Sequence, residues 1–122
     1  MSLTWYLRTH YRDPQRGEVR QRQYLDNGEV WVTVDDDRSL LCRFDPDQVA
    51  AARAAVSAAR LDDLTDIPVT TADLAIMTYE WNVDGSEGRW VDAAYPRVLP
   101  DNVDRLEETV LRLEEDAGLA GT

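Results

Sequence analysis

The chain has 122 residues, with thirteen arginines, no lysine, twenty-four carboxylates and one histidine, for a formal net charge of −11. That sign disfavours ordinary binding to DNA, RNA or anionic lipid, because such binding draws its free energy from cationic side chains that release condensed counterions. The single cysteine, Cys42, excludes an intrachain disulfide and fits a reducing compartment.

The length suits one domain, read as residues 1–118 with a frayed tail at 119–122, large enough to form a core without metal or disulfide. No apolar run approaches the roughly twenty residues that cross a bilayer, and Met1-Ser2-Leu3-Thr4-Trp5 lacks a basic region followed by an apolar one, so a soluble cytoplasmic protein is expected. The lack of lysine fits a GC-rich coding bias, and the excess of carboxylates also suits a high-salt cytoplasm.

Leu3 to Tyr11 is rich in aromatic and β-favouring residues and runs into the turn formers Arg12-Asp13-Pro14-Gln15-Arg16-Gly17, which predicts a strand and a loop. Asn27-Gly28 between Val19–Asp26 and Glu29–Asp35 predicts a hairpin with a two-residue type I′ loop. That register sets Leu25 opposite Val30, Tyr24 opposite Trp31, Gln23 opposite Val32 and Arg22 opposite Thr33. Asp35-Asp36-Asp37-Arg38 is a second turn, and Ser39 to Phe44 a further strand in which Leu40, Cys42 and Phe44 take the buried phase.

Asp45-Pro46-Asp47-Gln48 has the form of a capping box opening a helix to about Arg60, with a narrow stripe of Val49, Ala52, Val56 and Ala59. Leu61, Leu64 and Ile67 precede a stop at Pro68. Thr70 to Asn82 alternates as a strand, with Ala75, Met77, Tyr79, Trp81 and Val83 on one side. Asp84-Gly85-Ser86-Glu87-Gly88 is read as a hairpin loop and Arg89 to Ala93 as the return strand. Beyond Pro96 and Pro100, the spacing of Val103, Leu106, Val110, Leu113 and Ala117 predicts a helix ending at Gly118. The order predicts an α+β domain: an antiparallel sheet of about five strands with two helices packed on one face.

Register also predicts a surface. If Val30, Val32 and Val34 mark the core side, Val19, Gln21, Gln23 and Leu25 join them, and Arg20, Arg22, Tyr24 and Trp31 face the other way. On the first strand Leu3, Trp5 and Leu7 take the inward phase, leaving Tyr6, Arg8 and His10 outward, and Arg43 is outward too. Residues 1–43 hold seven Arg against seven carboxylates, and 44–122 hold six against seventeen. Arg8, His10, Arg20, Arg22, Tyr24, Trp31 and Arg43 thus form a candidate partner surface, since Arg, Tyr and Trp dominate interface hot spots; an ordinary Tyr24–Trp31 cross-strand pair under arginine stems is the competing reading. A second candidate is the carboxylate row Asp104, Glu107, Glu108 and Glu115, which either mimics a phosphate backbone or is simply a solvated helix face.

Catalytic and metal signatures are absent from the pattern. His10 and Cys42 fall on opposite phases, so the thiol is expected to be a buried small hydrophobe. Asp35-Asp36-Asp37 and Asp84 with Glu87 lack calcium-loop spacing, one Cys and one His make no zinc pattern, and no cofactor motif occurs. Three functions remain. The leading one is a non-enzymatic binding protein of inhibitor or immunity type that recognises one protein partner through the sheet face, the acidic helix, or both, and an acidic inhibitor associates fastest with a basic target. The second is a small-ligand protein or enzyme with a pocket lined by Tyr79, Trp81 and Trp90 and His10 or a buried carboxylate as base. The third is a DNA mimic. Monomer and dimer are equally open.

The helix at 46–60, Leu61-Asp62-Asp63-Leu64-Thr65-Asp66-Ile67-Pro68, the strand carrying Thr78-Tyr79-Glu80-Trp81, its hairpin, and Pro100 leading into the last helix together resemble the emfourin type of small protease inhibitor. The resemblance covers residues 46–116 and leaves the N-terminal strands outside it. It implies a stoichiometric inhibitor of thermolysin-like metalloproteases, with no inhibitory residue carried over.

Overall fold

Residues 4–66, 75–95 and 100–120 are described by a computed structural model. Six strands follow the alternation of the sequence: β1 Trp5–Asp13, β2 Glu18–Leu25, β3 Glu29–Val34, β4 Asp37–Arg43, β5 Ala75–Val83 and β6 Ser86–Tyr95. Helix α1 spans Pro46–Ala58, a short 3₁₀ turn Leu61–Asp63, and α2 Asp101–Ala120. The strands form one antiparallel sheet in the order β4-β3-β2-β1-β5-β6, with both helices on the same face. The predicted α+β class is therefore what the protein adopts, with six strands in place of about five. Leu3, Ile67, Pro68, the predicted strand start at Thr70, Pro96 and residues 121–122 lie outside the described residues.

Local chemistry accounts for most boundaries. The Asp45 carboxylate accepts from the Gln48 amide at 2.8 Å, and the Gln48 side chain accepts from the Asp45 amide at 2.9 Å. With Pro46 in the first turn, this is the capping box that the sequence announces. Ala52, Val56 and Ala59 are buried along the small-residue stripe of α1, and Val103, Leu106, Val110 and Ala117 along that of α2. Gly118 does not end α2; the helix continues to Ala120. Residues 119 and 120 are helical in backbone.

The Asn27-Gly28 hairpin differs from expectation by one residue, with large consequences. Tyr24 pairs with Val30, Gln23 with Trp31, Arg22 with Val32 and Gln21 with Thr33. The loop is three residues, Asp26-Asn27-Gly28: the Gly28 amide donates to the Leu25 carbonyl at 3.0 Å, and Gly28 takes φ +97°. That is the turn-plus-bulge solution for a three-residue hairpin, and Asn27 has no positive φ as a type I′ loop requires. A Cβ on Gly28 would lie 2.2 Å from the Phe44 carbonyl oxygen, so glycine is needed for the close approach of β4. Left-handed pairs occur instead at Asp35-Asp36, joining β3 to β4, and Asp84-Gly85, joining β5 to β6. The second hairpin loop is thus two residues long, and β6 begins at Ser86 rather than at Arg89.

Because a one-residue slip exchanges faces, β2 is turned over relative to the prediction. Tyr24 and Val30 share the helix side, and Arg20, Arg22, Val32 and Val34 lie along the same side; Trp31, Gln21, Gln23 and Leu25 take the other. Two bulges make further corrections. One between Trp5 and Leu7 lets both Tyr6 and Leu7 bury against the helices, while Trp5 turns to the open side opposite Leu25. The other, at Leu41, sets Leu40 beside Trp31 and away from Cys42, so Leu40 leaves the buried phase and is exposed.

The core is graded along the strands on the helix side. One cross-sheet row, Cys42–Val30–Tyr24–Leu7–Trp81–Gly88, is apolar throughout. The next, Ser39–Val32–Arg22–Thr9–Tyr79–Trp90, is mixed, and the third, Asp37–Val34–Arg20–Tyr11–Met77–Asp92, is polar over its β4-to-β1 half except for the exposed Val34. Gly88 allows the Trp81 ring to lie across β6; a Cβ there would come within 2.5 Å of it. Arg53 ties α1 to two turns, donating to Asp26 at 2.7 Å and Asp84 at 3.1 Å, with its guanidinium 5.9 Å from the Tyr6 ring.

Candidate binding surfaces

Strand pairing places the predicted arginine and aromatic residues on two surfaces instead of one. Arg8, His10, Trp31 and Arg43 occupy the open side of the sheet; Arg20, Arg22 and Tyr24 occupy the helix side. Tyr24 is 2% exposed, so it belongs to the core and not to a surface.

On the open side, the middle row reads Leu40–Trp31–Gln23–Arg8–Glu80–Arg89, and its neighbour Arg38–Thr33–Gln21–His10–Thr78–Val91. Both helices pack against the opposite face, so no described element covers these rows. Trp31 is half-buried; the Arg38 guanidinium sits 4.1 Å above its ring, and its indole N–H donates to Glu29 at 3.4 Å. Arg43 pairs with the second Glu29 oxygen at 3.2 Å. The Asn27 amide and the Trp31 indole both donate to Glu29 and hold its carboxyl below the usual range. Arg8 lies 4.0 Å over the Trp5 ring while donating to Glu80 at 3.1 Å. Arginine guanidinium groups stacked on indoles leave flat donor edges for a partner. Arg12 adds a further exposed cation to the face, beside the exposed His10.

The helix side carries the acid. Asp101, Asp104, Glu108, Glu115 and Asp116 of α2 are exposed. Glu107, predicted among the surface row, instead turns inward and accepts the Tyr79 hydroxyl. Glu114, a carboxylate outside the predicted surface row, is 9% exposed. It accepts the Tyr24 hydroxyl at 3.3 Å, and its other oxygen is 3.2 Å from Arg22 Nε without the alignment of a hydrogen bond. Burial pushes the Glu114 carboxyl above the usual range, against the opposing pull of Arg22 and Tyr24. Burial likewise raises the Tyr24 hydroxyl well above its ordinary value, the Glu114 charge adding to it. The signal for Glu114 in the sequence was its place at i+4 from Val110 on the apolar stripe.

The predicted aromatic pocket does not form around His10. Tyr79 and Trp90 are stacked at 5.4 Å and both about 1% exposed, and the Trp90 indole donates to the Thr65 carbonyl at 2.9 Å. His10 is on the other side of the sheet. Cys42 and His10 also lie on opposite faces, and burial pushes the Cys42 thiol up to about 11. Among the described residues no three His, Cys, Asp or Glu side chains converge to hold a metal ion, and no helix is long and apolar enough to cross a membrane. No protein-family model matches the chain, and no match is found among curated proteins.

Proposed function

We propose that the protein is a non-enzymatic binding protein of inhibitor or immunity type that engages one protein partner through the open face of its sheet. What carries this reading is the arginine and tryptophan surface of Trp31 under Arg38 and Trp5 under Arg8, left outside the helical layer of an otherwise acidic chain. Arg and Trp bury large area with few lost rotamers and recur at interface hot spots. The exposed carboxylates of α2 lie on the far side of the sheet from this surface. The partner met by the sheet face presents carboxylates there, and a basic partner belongs to the helix side.

The emfourin-like order of elements from residue 46 to 116 makes a thermolysin-like metalloprotease the first target to assay. Recovery from native lysate at low salt, with wild-type protein and a Trp31→Ala/Arg38→Ala variant, tests the surface: the wild type retains a stoichiometric partner and the variant loses it. Undiminished recovery by the variant would falsify the assignment.

A further inference from the structure

Between α2 and the sheet, the polar end of the helix side forms two adjoining hollows. An apolar crevice of about 100 Å³ lies under α2, walled by Leu7, Met77, Leu106, Val110 and Leu111. It meets a wider bowl of about 300 Å³, and Thr9, Arg22 and Met77 border both. Around the bowl, Arg16 lies 3.9 Å from Asp13 and Arg20 donates to Glu18, which leaves Arg22 as the cation at the junction of the two hollows. Leu111 is 47% exposed at the crevice mouth, although it is an aliphatic side chain on a helix otherwise well packed.

We infer that this paired hollow binds a short apolar carboxylate, its hydrocarbon tail in the crevice and its anionic head in the bowl against Arg22. The reasoning is complementarity. Tyr24 and Tyr79, which also border the crevice, already give their hydroxyls to Glu114 and Glu107, so the inner end offers apolar contact. Arg22, by contrast, has Glu114 as its one ion-pair partner among the described residues, and that contact lacks hydrogen-bond alignment. A guanidinium so placed accommodates a second carboxylate in bidentate fashion. A neutral apolar molecule leaves the Arg22 guanidinium without that second partner. The site lies on the opposite side of the sheet from the proposed partner surface, so the two assignments stand or fall separately.

The test is a titration with straight-chain carboxylates from butyrate to octanoate, and with 1-hexanol as the neutral control, followed by amide shifts of Thr9, Met77 and Leu111. Saturable shifts at these positions are expected, tightening with chain length until the crevice is filled. Arg22→Gln weakens hexanoate roughly tenfold and leaves hexanol unchanged. Because Arg22→Gln leaves Glu114 without its cation and can impair folding, Leu111→Trp provides a second variant that fills the crevice from an exposed helix position and abolishes binding. Equal affinity for hexanol and hexanoate, an undiminished response in Leu111→Trp, or no saturable shift with any chain length overturns the assignment.

Discussion

The two faces of one sheet solve opposite problems with similar residues. On the helix side, aromatics are committed: Tyr6, Tyr24, Tyr79, Trp81 and Trp90 are almost fully buried. Trp90 donates to a backbone carbonyl, while the Tyr24 and Tyr79 hydroxyls donate to α2 carboxylates. On the open side, Trp5 and Trp31 are half-buried and carry arginines on their rings. The same side-chain types therefore supply cohesion where helices cover them and a recognition surface where none does.

The comparison is broken most sharply by paired substitutions. Trp90→Ala removes a 1%-exposed ring that stacks on Tyr79, and is expected to cost about 3–5 kcal/mol, a large part of a small domain's stability. Trp31→Ala on the open face is expected to cost about 1 kcal/mol or less, since the half-exposed ring loses cross-strand contacts, the Arg38 stack and a long bond to Glu29 without leaving a cavity under the helices. Urea unfolding of both variants checks the pair; similar costs would mean that the open face is as much a core as the other. Gly88→Ala comes next. It drives a Cβ to within 2.5 Å of Trp81 on the helix side and should cost about 1–3 kcal/mol, with loss of near-ultraviolet tryptophan signal.

Much of this contrast was legible in the sequence. The capping box at Asp45 and Gln48, the stripes of both helices, and the alternation of Tyr79, Trp81 and Val83 each follow from one local rule and all hold. What misled was the Asn27-Gly28 turn. A loop of two or three residues differs locally by one turn bond, but that bond decides which face receives Tyr24 and which receives Trp31. Arg20 and Arg22 turn inward with carboxylate partners, Arg20 on Glu18 and Arg22 on Glu114 of α2, and the second of these depends on helix placement that no strand pattern encodes. The bulges at Tyr6 and Leu41 have no sequence signal of glycine, so the phase of each strand beyond them was unreadable. A pair of positive-φ residues at Asp35-Asp36, where Asn27-Gly28 has only Gly28 so, has the same character.

Smaller effects sharpen the helix side. Burial holds the Glu114 carboxyl above the usual carboxylate range, so the folded state binds this proton more tightly than the unfolded chain does. Its contribution to stability is full below the unfolded pKa and is lost as pH rises through the folded one. Glu114→Gln abolishes that loss and keeps an acceptor for Tyr24, so the stability of the variant relative to wild type should rise across this window. Urea midpoints from about pH 4 to about pH 7 measure it, and a difference that stays flat or falls contradicts the buried, proton-favouring environment. Cys42 gives the smallest signal: with its thiol raised to about 11, alkylation in native buffer should be far slower than in denaturant.

The account rests on the open face as the surface that meets a partner. Its most direct measurement is partner recovery by three proteins side by side: wild type, Trp31→Ala/Arg38→Ala on the open face, and Asp104→Ala/Glu108→Ala/Glu115→Ala on α2. Loss of the partner with the open-face variant and retention with the helix variant is the predicted result. Retention by the open-face variant with loss by the helix variant would contradict it and move recognition to the acidic side.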